Sequence, residues 1–325
     1  MPSPFLSITL AALVIATVTL WVTTTVLTRR AEARVPPAGR WIDLPSAHLH
    51  LIDRGQAASA QAPVLILIHG LAGQTQHFSY RLIDELAQSY RVIAIDRPGS
   101  GYSRWRAGVR HTLEAQVALI DEIARHLDLQ RVVLVGHSLG GAIALGAAIR
   151  YPDRVAGVAL LAPLTRLPIE VSPRLARWLA STDWLWRFVS QTIATPMLRV
   201  RRQRLRADLF APDAVPADYG VQGGGDLTLR SGQLLAACRD LVALPAWLEH
   251  VVSRYDDLRS PGFPTVGMLY GLQDAVLSPS LQGAWFAERV QVSPYRTLDA
   301  GHMLPLTRPE ACVQLIRQVA DGASR

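Results

Sequence analysis

Ser138 lies in Gly136-His137-Ser138-Leu139-Gly140-Gly141, directly after the apolar run Val132 to Val135 and directly before a helical pattern. A serine hydroxyl is a weak nucleophile at its ordinary pKa. It needs a histidine to take its proton and a carboxylate to hold that histidine in the right tautomer. Gly136 and Gly140 let the backbone fold tightly around the serine at a strand end. Of nine histidines, His302 is the best placed, in Ala300-Gly301-His302-Met303 after the strand-like Tyr295 to Leu298. Asp274 stands just beyond the apolar run Thr265 to Tyr270 and is the expected acid, with Asp299 as the alternative. Backbone donors for a developing alkoxide would come from Ile68-His69-Gly70-Leu71-Ala72-Gly73, where Gly70 lets the Leu71 amide face the reaction centre beside that of Leu139. His69 and His137 read as loop residues. His48 and His50 could suggest a metal pair, but read more simply as one solvated face of a hairpin.

The rest of the composition narrows the chemistry. All 33 basic residues are arginine. Without lysine there is no Walker-type phosphate loop, no internal Schiff base and no Ser-x-x-Lys pair. Two cysteines, Cys238 and Cys312, are too few for a disulfide framework and lack metal-ligand spacing. No metal or cofactor is therefore expected. The formal net charge of +7 could serve nucleic acid or an anionic membrane surface. Its arginines gather near the N-terminus and in the middle of the chain, which favours the membrane, and no nucleic-acid partner is expected.

These residues need a scaffold that brings strand ends together. Trp41 to Leu44 and Leu49 to Asp53 read as an opening hairpin. Val64 to Ile68, Val92 to Ile95, Val132 to Val135, Val155 to Leu161 and Thr265 to Tyr270 read as strands buried on both faces. Helical patterns cover Gln76 to Gln88, Thr112 to Leu127, Leu139 to Arg150, Pro279 to Val290 and Pro309 to Ala320. Alternating strands and helices predict a parallel sheet covered on both sides. The core is expected over residues 40–163 and 261–325. Residues 164–260 interrupt it as a helical cap without strands, carrying Trp178, Trp184, Trp186 and Trp247 and the run Arg199, Arg201, Arg202, Arg204 and Arg206.

Residues 5–28 contain no charge and would span about 36 Å as a helix, which predicts a transmembrane segment. A cleaved signal is the alternative, but it would need a basic leading region and a small-x-small cleavage site. Residues 29–39, with Pro36 and Pro37, read as a linker. Arg29, Arg30 and Arg34 after the span predict a single-pass protein with its soluble part in the cytoplasm, the periplasmic or extracellular side being the alternative.

The ensemble Ile68 to Gly73, Asp96-Arg97-Pro98-Gly99-Ser100-Gly101-Tyr102-Ser103, Gly136 to Gly141, Asp274 and Gly301-His302 resembles the α/β-hydrolase superfamily from Arg40 to Ala320. The resemblance implies an α/β fold with a mostly parallel eight-stranded sheet, helices on both faces and residues 164–260 as a lid. Serine at position 138 separates this chain from the family's dehalogenases and epoxide hydrolases, which place aspartate there. Its carbon–carbon bond hydrolases carry Asn before the nucleophile and Trp after the histidine, where His137 and Met303 stand here. Gly-His-Ser-Leu-Gly-Gly is similar to membrane-anchored esterases and lipases. The expectation is a hydrolase of small or lipid-like esters, with Ser138, His302 and Asp274 as its triad. Carbon–carbon hydrolase, thioesterase, lactonase and perhydrolase stay open on the same residues, as does a non-catalytic receptor. The cap reads as an amphipathic lid with solvated arginines, or as a surface that meets the bilayer.

Overall fold

The structure, a computed structural model, describes residues 4–56, 62–167, 182–260 and 262–323. Helix α1 (Pro4–Arg34) leads into the hairpin of β1 (Arg40–Asp43) and β2 (Ala47–Arg54), and then into β3 (Val64–Ile68). The pattern expected as one helix over 76–88 forms two single turns, α2 (Gln76–Ser79) and α3 (Ile83–Leu86). Next come β4 (Val92–Ile95), an unforeseen two-residue strand β5 (Arg104–Trp105), and α4 (Leu113–His126), capped by the Thr112 hydroxyl at the Ala115 amide. The chain continues through β6 (Val132–His137), α5 (Leu139–Arg150) and β7 (Val155–Leu161). After the cap it returns with β8 (Thr265–Gly271), α9 (Trp285–Val290), β9 (Tyr295–Leu298), α10 (Leu304–Thr307) and α11 (Pro309–Ala323).

The sheet order is β1-β2-β4-β3-β6-β7-β8-β9, with β5 pairing β2 as a ninth, minor strand. All neighbours from β4 to β9 pair parallel, while the hairpin joins antiparallel. Every residue of β3, β4, β6 and β7 is buried, as continuous Val, Ile, Leu and Ala runs require when helices cover both faces. His50 corrects the sequence reading. It is fully buried, and its Nδ1 lies 2.7 Å from the Asp96 carboxylate, whereas His48 stays at the surface against Asp43.

Among the described residues, 164–260 contains helices and no strand. α6 (Asp183–Val189) runs through a π-helical stretch, Ser190–Ala194, into α7 (Thr195–Phe210), and α8 (Ser231–Ser253) lies back across the core. Trp178 lies outside the described residues.

α1 is long and apolar enough to cross a membrane. Its Thr9, Thr19 and Thr25 hydroxyls donate back to carbonyls one turn earlier, so these three are satisfied within the apolar helix. The helix does not stop at Thr28. It continues through Arg34, over residues expected to form a linker, because that end is docked. Ala31 and Val35 are buried, Arg34 pairs with the buried Asp226 at 2.7 Å, and Glu32 pairs with Arg230 at 2.8 Å.

Candidate active site

In a parallel sheet, ligands bind beyond the carboxyl ends of the strands, where the strand order reverses direction. Here the reversal lies at β3 and β6, whose ends are level, with Ile68 opposite Gly136. The loops that follow are the predicted amide-donor turn and the predicted nucleophile turn. β8 ends beside them and carries Asp274 three residues on, and the loop after β9 delivers His302. Four residue groups scattered from position 70 to 302 therefore meet beyond the carboxyl ends of the strands.

Ser138 sits at φ 55° and ψ −122°, a left-handed backbone that costs a non-glycine residue on the order of 1–3 kcal/mol. The strain is held by close packing on both sides. A Cβ at Gly140 would lie 2.0 Å from the Ile68 carbonyl oxygen, and one at Gly70 would lie 2.9 Å from the Ser138 Cβ. Any side chain at either position would drive the elbow and the donor loop apart. Leu139 opens α5, so its amide has no carbonyl a turn earlier to bind.

His302 Nδ1 lies 2.7 Å from Asp274 Oδ2, and both side chains are almost wholly buried. The second carboxylate oxygen accepts the Val276 and Leu277 amides, each at 2.8 Å, which fixes the rotamer. Asp299, the alternative acid, is exposed at the sheet edge, where its carbonyl accepts from Arg308. His137 Nε2 donates to the His302 carbonyl at 3.1 Å and so ties the histidine loop to the elbow. Burial holds the His137 ring well below the usual histidine range, neutral beside His302. Ser138, His302, Leu71 and Leu139 line one cavity of about 320 Å³. Leu164, Leu209, Leu241, Leu244, Val276 and Met303 make most of its remaining wall apolar.

Residues 63–309 match the family of the alpha/beta hydrolase fold. The chain belongs to that family. Among curated relatives of the chain is the magnesium-chelatase 30 kDa subunit of Rhodobacter capsulatus, 37% identical over 46% of this chain and 49% of its own length. The chain thus spans about half the length of that relative or less of the others next to it. Among solved structures, an esterase from Thermogutta terrifontis superposes with a TM-score of 0.68 at 23% identity, covering 88% of this chain and 100% of its own. A membrane phospholipase A described as a bacterial virulence factor superposes with 0.60 at 22% identity, over 98% of each chain. At these identities the structural likeness speaks for the fold alone.

Two charged residues beside this cavity escaped the sequence reading. Arg97, buried at the start of the β4 loop, donates to the carbonyls of His69 and Gly70 at 3.1 and 2.9 Å. It thereby turns those oxygens away from the cavity and fixes the loop that carries Leu71. The same guanidinium pairs with Asp240 of α8 at 2.7 Å, and His111 and Gln116 fill the other carboxylate oxygen. Burial alone would raise the Asp240 pKa, but Arg97 and His111 outweigh it and hold the group at about 2. A visible signal was present: Asp240 is the lone acid of the Leu234 to Leu248 segment, whose only other charged residue is Arg239. His69 accepts the Arg97 amide at Nε2 and is pushed to about 3 by burial and by that guanidinium. His77 lines the cavity, and burial lowers it to about 4.

Proposed function

We propose that this hydrolase cleaves carboxylic esters through an acyl-enzyme at Ser138, and that α1 anchors it in a membrane. The observation that carries the reading is the 2.7 Å contact of His302 Nδ1 with Asp274, in the same cavity as a serine held at positive φ. With Nδ1–H committed to the carboxylate, His302 Nε2 is left as the base for the serine hydroxyl. Ser138 Oγ attacks the acyl carbon, its proton passes to Nε2, and the carbonyl oxygen becomes an alkoxide facing the Leu71 and Leu139 amides. Each such donor contributes about 3 kcal/mol to the transition state. The alkoxide collapses, the carbon–oxygen bond to the alcohol breaks, and the alcohol leaves with the proton from His302. Water then gives its proton to Nε2 and attacks the acyl-serine, which releases the acid and restores Ser138. No step calls for a metal or cofactor.

The apolar cavity wall suits an alkyl or acyl chain better than a sugar or a polyanion. Lipid-like esters are the preferred class, in keeping with the membrane phospholipase A that shares the fold. Arg29, Arg30 and Arg34 follow the apolar segment, a charge bias that supports a cytoplasmic soluble part. A reporter enzyme fused to the C-terminus and active on one side only reads that orientation. The mechanism is tested on the purified full-length protein with p-nitrophenyl esters of graded chain length, alongside thioesters and lactones. Ser138→Ala is expected to lower ester turnover by about 10⁴-fold or more and to abolish labelling by a fluorophosphonate. Labelling that persists in Ser138→Ala would refute it, and so would turnover equal to that of the parent protein.

A further inference from the structure

α1 does not stand free along its length. Phe5 to Ala16 is exposed on every side, whereas Thr17, Leu20, Thr24, Leu27, Thr28, Ala31 and Val35 form a stripe of less exposed positions at helical spacing. The stripe faces the cap. Thr24, only 3% exposed, donates its hydroxyl to the Thr192 carbonyl at 2.9 Å in the π-helical stretch between α6 and α7. Ten residues further along α1, Arg34 binds Asp226 at 2.7 Å. Asp226 also takes Arg202, ten residues beyond Thr192, at 3.8 Å, and Arg206 at 2.7 Å. Equal steps along both helices mean that the α6–α7 segment runs beside α1 in the same direction.

This pairing bears on how α1 can sit in a bilayer. The exposed stretch, Phe5 to Ala16, is twelve residues and rises roughly 18 Å, against about 30 Å of hydrocarbon. The remaining depth falls on the half of α1 that lies against the cap. The cap surface at that height exposes the apolar Trp184, Phe188, Ile193 and Met197, and its exposed Arg187 is paired with Asp183 at 2.7 Å. The five-residue step from Phe188 to Ile193 crosses the π-helical stretch, whose wider turn keeps both on one face. By the same register the exposed Arg199 and Arg201 stand within about a turn of Arg29, Arg30 and Arg34 on α1, with Val200 between them and Arg204 one turn further on. Two apolar surfaces thus end together at two arginine bands, the arrangement expected at a lipid phosphate plane.

Resting on the reading that α1 enters a bilayer, we propose that the exposed face of α6 and α7 lies in the near leaflet, with its arginines at anionic headgroups. The lid of the cavity would then be a membrane-embedded element, and its substrates would be esters drawn from that leaflet. Leu209, which lines the cavity, stands at the far end of the same helix.

The test uses nitroxide labels on the full-length protein in vesicles of phosphatidylcholine and phosphatidylglycerol. Single cysteines replace Leu13, Phe188, Met197 and the remote surface residue Asp153 in a Cys238→Ala background. Cys312 is buried and stays unlabelled. The expected result is that labels at 13, 188 and 197 collide more with oxygen than with a water-soluble nickel chelate, with the order reversed at 153. If 13 is lipid-exposed but 188 and 197 match 153, the inference fails while the anchor stands. If 13 also matches 153, the anchor reading itself fails. Labels at 188 and 197 shielded from both agents and broadened by spin–spin coupling would show a second copy on this face, and would overturn the bilayer as its occupant.

Discussion

Asp274 illustrates how much rests on one side chain. One carboxylate oxygen is used on two backbone amides and the other on His302, so the acid is a fixed acceptor with no freedom to seek another partner. Asp274→Asn should keep the fold but present an amide where Nδ1–H needs an acceptor, favouring the wrong tautomer. A loss of about 10⁴ in kcat with KM little changed is expected from steady-state ester kinetics. A fall confined to KM would mean that Asp274 serves binding instead. His69 and His77 set a different sensitivity. Their folded pKa values lie near 3 and 4, below the ordinary 6.5. As pH falls the unfolded chain binds protons first, so this contribution is full above about 6.5 and is lost as pH falls towards about 4 for His77 and about 3 for His69. Urea midpoints taken across that window should decline with falling pH, and His77→Gln should make the decline shallower. Parallel slopes for the two proteins would contradict the assignment.

At the level of elements, the β4 loop, the donor loop and helix α8 are joined through one buried ion pair. Arg97 and Asp240 are each nearly inaccessible, so removing one partner leaves a charge in a poor solvent, at a cost of about 3–5 kcal/mol. Asp240→Leu should lower the unfolding free energy by that order and also reduce turnover, since Arg97 orients the loop bearing Leu71. The double variant Arg97→Met/Asp240→Leu should recover stability relative to the single one, because no charge is stranded. A double variant as unstable as the sum of the two singles would mean that the pair does not couple. The elbow itself was legible, because strand, strained turn and helix are neighbours in sequence and the glycines on either side of Ser138 report the crowding. The Arg97 to Asp240 link was not, since its partners stand 143 positions apart and no local spacing anticipates it.

For the whole molecule, the N-terminal helix is part of the folded body as well as a candidate anchor. Its last turns add the Arg34 to Asp226 and Glu32 to Arg230 pairs and bury Ala31 against the cap. Deleting residues 1–34 should therefore lower the melting temperature, by about 2–4 °C for each kcal/mol of docking lost. Calorimetry in detergent reads this directly, and an unchanged melting temperature would show that the docked turns contribute nothing. By itself the sequence determined the alternation of strand and helix, the order Ser138, Asp274, His302, and the apolar length of α1. Each of these depends on local periodicity or on turn chemistry that neighbouring residues dictate. Tertiary structure decided that α1 runs on through Arg34, that His50 is buried against Asp96, and that Arg199 and Arg201 of α7 stand within about a turn of the arginines of α1. Those outcomes depend on contacts such as Thr24 with Thr192, 168 positions apart, which form only once the sheet has closed its core and set the cap above it.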